Sequence, residues 1–186
     1  LEFSVDRKVF RVQPVIYMDE GPRRIIEEME IQGLPEGSVG SAEAEDLAYL
    51  LRKSKSFNAI QADEKLKALL QKLRQEGYLD ALGVVEWDAP TKSVRVIITP
   101  GPRYKIEDAI VRGLIRTKLP VIRKQFRFSQ GEYFSQEKIN DTTAEILRLG
   151  LARSIDIQVF EKDPTNERVY LLIEITEAAR FRFEVG

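Results

Sequence analysis

The chain has 186 residues, of which 43% are hydrophobic and 32% are charged, and its formal net charge is −1. This composition predicts one ordinary globular domain or two small ones, and it provides no excess charge for binding a polyanion. The sequence contains no His and no Cys, which removes the commonest general base, thiolate nucleophiles and the usual metal ligands, and no apolar run approaches the roughly 20 residues that span a bilayer.

A phrase near the N-terminus returns later in the chain. EGPRRIIEEMEIQGL at residues 20–34 matches PGPRYKIEDAIVRGL at 100–114, and with Gly21 aligned to Gly101 seven of fourteen positions coincide. A fainter copy, EAARFRFEVG, closes the sequence. Internal repeats indicate tandem units. We predict two whole units, 21–100 and 101–178, after a segment 1–20 that is the end of a preceding unit or a vector-derived stretch, and before a linking segment 179–186.

The first unit is predicted to contain a strand, two helices and two strands. The strand runs from Ile25 to Ile31 and ends at Gly33. Ser41 and Asp63 are the predicted N-caps of the two helices, and Gly77 is the predicted stop of the second. The apolar stripes of the helices are Leu47, Leu50 and Leu51, then Leu66, Leu69, Leu70 and Leu73. The last two strands are Leu82 to Trp87 and Val94 to Thr99.

The second unit repeats this order. A strand from Ile106 to Val111 ends at Gly113, and Pro120 suits the first turn of a short helix bearing Leu119, Ile122 and Phe126. Ser135 is the predicted N-cap of a longer helix, with Phe134 and Ile139 as a hydrophobic staple and with Ile146 and Leu149 continuing its stripe to Gly150. Strands Ile155 to Val159 and Val169 to Ile175 follow.

Each unit is therefore predicted to be an α+β domain of order β-α-α-β-β. This order, the Gly-Pro-Arg junction, the strand end Gly-Leu and GEYFSQEKINDTTAEILRLGLARSIDIQVF at 131–160 resemble polypeptide-transport-associated (POTRA) domains of the surface antigen family. These are periplasmic modules of outer-membrane assembly and translocation factors of the BamA and TamA kind. The resemblance covers residues 20–178; the first unit departs from it in the loop PEGSVGS and carries one more residue between Leu73 and Gly77 than lies between Leu147 and Gly150.

The resemblance implies tandem POTRA domains, each with a three-stranded mixed sheet covered on one face by two helices, in the periplasmic portion of a bacterial outer-membrane protein. It implies binding of unfolded outer-membrane or secreted polypeptides and their delivery to a β-barrel in the same protein, with accessory assembly proteins as further partners. Residues 179–186 resemble the passage into such a barrel; the alternative is another unit. A different function is an adaptor with POTRA-like domains that binds a folded partner in a division or secretion scaffold.

In this family the middle strand in sequence lies at the edge of the sheet, where an extended client can add as a further strand through main-chain hydrogen bonds. The backbone is the predicted binding element, and the inward side chains, like Tyr78, are expected to pack on the core. The implied polypeptide-binding residues are Ile155, Asp156, Ile157, Gln158 and Val159, with Leu82, Val84, Val85 and Trp87 in the first unit.

A basic run without acidic residues occupies positions 112–127. Two interpretations stand side by side, a solvated helix surface and contact with anionic lipid or with the mouth of a barrel. The residues are Arg112, Arg116, Lys118, Arg123, Lys124 and Arg127.

GSVG at 37–40 mimics the loop of a KH domain but joins a strand to a helix, so we predict no nucleic-acid partner. We also predict no catalytic residue, metal site or cofactor, because no nucleophile–base pair, metal spacing or phosphate loop is present.

Overall fold

A computed structural model describes residues 2–6, 11–15, 25–38, 40–54 and 57–178. Strands β1 (Glu2–Asp6) and β2 (Arg11–Val15) form an antiparallel pair. The Gly21 junction and the segment 179–186 lie outside the described residues. Among the helices that are described, none has the length and apolar character required to cross a bilayer.

The first unit consists of a mixed three-stranded sheet and two helices in the predicted order. The elements are β3 (Glu28–Gln32), α1 (Gly40–Ser54), α2 (Ala59–Gln75), β4 (Leu82–Asp88) and β5 (Ser93–Thr99). The strand order is β3-β5-β4, with β3 parallel and β4 antiparallel to the central β5. The last strand of the unit is thus the middle strand of the sheet, and β4 is left at an edge.

Both helices of the first unit cover the same face of the sheet, because their apolar stripes and the inward row of β5 form one core. The predicted stripe of α2 is confirmed, since all four of its leucines are buried. Leu47 and Leu51 of α1 are also buried, whereas the side chain of Leu50 lies outside the described set. Partly buried residues around the core include Met29, Ile31, Tyr78, Val85 and Trp87.

Three predicted boundaries of the first unit are wrong. The first strand begins at Glu28 and leaves Ile25 exposed. Helix α1 begins at Gly40, so Ser41 lies inside it. Helix α2 begins after Asn58, whose side-chain oxygen accepts hydrogen bonds from two first-turn amides at 3.0 and 3.2 Å, so Asp63 is an internal residue. An Asn that satisfies these amides starts the helix one turn earlier than the apolar stripe indicates.

The second unit has the same topology. Its elements are β6 (Lys105–Arg112), α3 (Leu119–Arg123), α4 (Gln136–Arg148), β7 (Ala152–Asp163) and β8 (Arg168–Glu177). The strand order is β6-β8-β7, with β6 parallel and β7 antiparallel to β8. The predicted cap is confirmed, because the Ser135 hydroxyl accepts from the Lys138 amide at 3.5 Å and both Phe134 and Ile139 are buried in one core. The prediction that Leu149 belongs to the buried stripe is wrong, because this residue is the C-cap of α4 and its side chain is exposed.

The repeated glycines occupy equivalent positions in the two sheets. Gly33 and Gly113 have φ values of +80° and +84°, and a Cβ on either would lie 2.0 Å from a carbonyl oxygen, that of Ile98 or Ile175. Only glycine fits so close an approach at positive φ. The sequence repeat therefore reflects the same packing of the first strand's end against the central strand in both units.

Candidate functional site

Strand β4 forms one edge of the first sheet. It pairs along its whole length with β5, from Leu82 opposite Thr99 to Asp88 opposite Ser93. Within the described parts of the chain, no backbone hydrogen bond joins β4 to any other segment. Its side chains alternate: Val85 and Trp87 pack on the core, while Leu82 and Val84 face solvent. The outer border of β4 therefore offers unpaired main-chain donors and acceptors.

Strand β7 forms the corresponding edge of the second sheet and is longer, at 12 residues. Its predicted alternation is confirmed: Ile155, Ile157 and Val159 pack against the second core, while Asp156 and Gln158 are exposed. Register shifts interrupt its pairing with β8 near both ends. Apart from β8, no described segment hydrogen-bonds to its backbone.

The opposite borders of the two sheets differ. In the second unit a short segment pairs with the start of β6: the Ile106 amide donates to the Glu132 carbonyl at 2.8 Å, and the Gly131 amide donates to the Ile106 carbonyl at 2.7 Å. The Phe134 amide likewise donates to the Tyr104 carbonyl at 2.9 Å. Among the described residues, β3 has no such covering segment. The edges that both units present alike are therefore those of β4 and β7.

The two units are joined directly by polar contacts. The Tyr104 amide donates to the Gly77 carbonyl at 2.9 Å, and Arg103 Nε donates to the Glu76 carbonyl at 3.0 Å. The Arg103 guanidinium also lies 4.5 Å from the centroid of the Tyr133 ring. The C-terminal end of α2 is thus bonded to the strand that opens the second unit, with no intervening flexible linker.

Tyr104 is fully buried at this junction, and its hydroxyl donates to Asp80, which also binds Lys162. The hydrogen bond from Lys162, followed by that from Tyr104, lowers the pKa of Asp80. Burial, followed by the hydrogen bond to Asp80, raises the pKa of Tyr104 to about 12. These three side chains, which we call the junction triad, connect the loop before β4 with the second sheet.

The basic run is partly neutralised in the fold. Arg116 pairs with Glu177 at 3.3 Å, Arg127 pairs with Glu145 at 2.6 Å, and Arg123 lies 4.0 Å from Asp108. The remaining three have no acidic partner among the described contacts and are exposed; they are Arg112, Lys118 and Lys124. Contact with anionic lipid stays a prediction, and it depends chiefly on these three cations.

Glu177, at the end of β8, binds the loop that follows β6. Its carboxylate accepts hydrogen bonds from the amides of Thr117 at 2.8 Å, Arg116 at 3.1 Å and Ile115 at 3.2 Å. These amides, led by that of Thr117, lower the pKa of Glu177 to about 2. The side chain is only 4% exposed. It is therefore a structural anchor for the loop.

The sequence did not predict the roles of Glu177, the junction triad or Thr142. Thr142 is fully buried in α4; its hydroxyl accepts from the Arg127 amide at 2.9 Å and donates to the Lys138 carbonyl at 2.8 Å. The only signal for Thr142 in the sequence is that a threonine occupies an apolar position of the α4 stripe. Across the described residues, no cluster of three or more His, Cys, Asp or Glu side chains is arranged to hold a metal ion.

Residues 104–178 match the POTRA family, which is described as a surface antigen variable number repeat. The outer membrane protein assembly factor BamA of Neorickettsia risticii is 28% identical over 142 residues, which are 73% of this chain and 19% of the relative. The chain thus spans about a fifth of the length of that curated relative.

Solved structures share the fold. POTRA domains 3 to 5 of Haemophilus influenzae BamA align with a TM-score of 0.58 at 19% identity, covering 95% of this chain and 70% of that one. POTRA domains 1 and 2 of the periplasmic domain of Omp85 from Anabaena align with a TM-score of 0.53 at 17% identity, covering 86% of this chain and 99% of that one.

Proposed function

We propose that this chain, whose residues 104–178 match the POTRA family, is a POTRA region of a BamA-type outer-membrane assembly factor that captures unfolded polypeptides at its sheet edges and passes them on. The region lies in the periplasmic part of an outer-membrane protein. Its two units, 21–100 and 101–178, act as consecutive POTRA domains. The clients are unfolded outer-membrane polypeptides, and the receiver is a β-barrel of the same protein. The POTRA region does this by binding and carries out no chemical reaction.

One observation carries the proposal: in both units the strand between α2 or α4 and the central strand lies at a border that no described segment covers. Such a border is a template for an added strand. Main-chain pairing needs no particular client sequence. The inward side chains of β7, such as Ile157, are already occupied by the core. The backbone is therefore the part of β7 that recognises a client.

The energetics favour weak and reversible capture. A client strand along the seven residues of β4 gains roughly 1 kcal/mol per net hydrogen bond, while ordering its own backbone costs about 1–2 kcal/mol per residue. The ordering cost is at least as large as this gain, so main-chain pairing alone holds a client weakly and a bound client leaves readily. Release is a requirement for a protein that delivers its cargo.

The experiment is an amide NMR titration of the chain with an extended, synthetic outer-membrane strand peptide. Amides of β4 and β7 should shift more than those of the central strands β5 and β8, because the peptide hydrogen-bonds only to the borders. Shifts confined to loops or helices would reject strand addition.

A proline pair in β7 sharpens the test. Neighbouring residues of an edge strand point their N–H groups alternately to the sheet and to the free border, and proline is tolerated only at the free position. Of Asp156→Pro and Ile157→Pro, we expect one to retain the wild-type circular dichroism and to lose peptide-induced shifts at β7. Shifts at β4 serve as the internal control. Undiminished shifts at β7 in the folded variant would contradict the proposal.

A further inference from the structure

The two edge strands differ in the side chains that they present on the solvent face of the sheet. In β4 this outer row begins with Leu82, 64% exposed, and Val84, 53% exposed. Val84 lies opposite the half-buried Ile97 of β5, which widens the apolar surface. The row then continues with Glu86 and Asp88, both exposed. We call these four β4 residues the outer row of the first unit.

The corresponding row of β7 is polar over most of its length. Ser154, Asp156 and Gln158 are exposed there, and an exposed apolar residue, Phe160, appears only near the second register shift. The two borders thus offer similar main-chain groups but different side chains. Selection of an apolar row therefore falls mainly to the first unit.

Near Leu82 and Val84, the row of β4 that faces the helices contributes little to the choice of client side chains. The position between them is Gly83, and a Cβ there would lie 2.9 Å from Leu66 Cδ1 and 3.4 Å from Leu70 Cδ2 of α2. Helix α2 therefore packs directly on the backbone of β4 at this level. A client strand meets side chains of β4 at this end chiefly on the solvent face.

We propose that β4 selects client strands that are apolar at alternate positions and that carry a basic residue where this apolar row ends. The apolar row lies on the solvent face against Leu82 and Val84, and the Lys or Arg lies opposite Glu86 or Asp88. The occupant is a membrane strand of an unfolded outer-membrane protein, because such strands alternate apolar and polar residues with a period of two. This inference rests on the proposed function and deepens it.

The alternating apolar residues of β4 and the acidic charges that follow them support a membrane strand as the occupant. Directly opposite side chains in paired strands interact, and apolar or oppositely charged pairs stabilise while like charges destabilise. The Glu86 carboxylate lies 3.7 Å from the Arg95 guanidinium, which itself contacts Glu30 at 3.9 Å. Both distances are long for ion pairs, so Glu86 retains the capacity to bind a cationic group of a client.

The test uses three peptides of about ten residues, the length of a membrane strand. The first has Val and Leu at alternate positions followed, in the same row, by Lys; the second has the same composition with the alternation broken; the third has Glu in place of Lys. Binding is measured from the amide shifts of β4 and, separately, of β7. We expect the first peptide to bind β4 about tenfold more tightly than the second or the third, and the differences among the three to be smaller at β7, whose outer row has one carboxylate, Asp156, between Ser154 and Gln158.

Variants of the protein give the reciprocal result. The double substitution Leu82→Thr and Val84→Thr keeps residues that favour strands and should weaken the first peptide at β4 about tenfold, leaving β7 unchanged. Glu86→Gln should reduce the preference for Lys over Glu. Ile115→Thr is the control, because it makes the same apolar-to-polar change at an 85% exposed position outside β4, in the second unit.

The outcomes separate the two proposals. Equal binding of all three peptides at β4, together with no effect of the Thr substitutions, would overturn the selective role of the outer row and leave strand addition intact. No shift at either β4 or β7 with any peptide would overturn strand addition itself. Should the double variant unfold, the comparison of the three peptides on the wild-type chain decides the question alone.

Discussion

The substitution Tyr104→Phe tests whether the junction triad holds the two units together. It removes one hydroxyl from a fully buried ring and leaves Asp80 with Lys162 as its remaining side-chain partner. A hydrogen bond to a charged group contributes about 1.5–3 kcal/mol. Asp80 is 36% exposed, so water replaces part of this loss. We expect the free energy of unfolding to fall by about 1–2 kcal/mol.

Urea unfolding measures this loss, and a double-mutant cycle assigns it. Tyr104→Phe should lower the free energy of unfolding by a different amount in a Lys162→Met background than in the wild type, because both side chains bind the same carboxylate. Tyr170→Phe is the matched control, because Tyr170 is half-buried and its hydroxyl has no hydrogen-bond partner within the described part of the chain. Residual dipolar couplings should report a wider distribution of inter-unit orientations in the Tyr104 variant.

Two results would refute this reasoning. If Tyr104→Phe lowers the free energy of unfolding no more than Tyr170→Phe does, the hydrogen bond of the Tyr104 hydroxyl does not stabilise the fold. Unchanged dipolar couplings, despite a loss of stability, would mean that the triad stabilises one unit and does not fix its neighbour.

Three further predictions concern single positions. Asn58→Ala removes the cap of α2 and should lower the free energy of unfolding in urea by about 1 kcal/mol; an unchanged value would mean that water satisfies these amides equally well. Gly113→Ala places a Cβ 2.0 Å from the Ile175 carbonyl oxygen and should lower the free energy of unfolding by about 2 kcal/mol or more. This loss should exceed that of Gly131→Ala, because Gly131 also has positive φ but no atom lies within 4 Å of its Cβ. Glu177 has a pKa of about 2 in the folded chain against an ordinary 4.5, so its stabilisation is complete above pH 4.5 and is lost as the pH falls towards 2. The difference in Tm between the wild type and Glu177→Gln should therefore narrow over this range, and a constant difference would contradict the role of the carboxylate.

The sequence predicted those features whose cause is local. The leucine stripe of α2, the Ser135 cap and the alternation in β7 each depend on neighbours within one or two turns or residues of the chain. The sheet order came from the family resemblance, because the same local pattern fits several strand arrangements. The start of α2 also has a local cause, since Asn58 is a strong capping residue followed by helix-forming residues.

Features that depend on distant pairs could not be predicted. Glu177 meets the Thr117 amide from 60 residues away, and Tyr104 meets Asp80 from 24 away. Nothing in the sequence distinguishes these side chains from the other Glu, Asp and Tyr residues. The sequence also does not show which row of β4 faces solvent, because this follows from the packing of Val85 and Trp87 on the core. Burial selects the partner in each case, and burial is a property of the assembled fold.

The difference between the two borders bears on how clients would be distinguished. Main-chain pairing alone does not outweigh the cost of ordering a client, so binding is weak, and a contribution of 1–2 kcal/mol from side chains changes the binding constant about tenfold. On the proposed function, β4 supplies such a contribution through Leu82 and Val84, whereas β7 pairs mainly through its longer backbone. A client bound at one border is also held at a raised local concentration near the other, because the units are directly joined. The first unit would then select membrane strands, and the second would pair with most of them. Together the two units would retain such strands without binding any of them tightly.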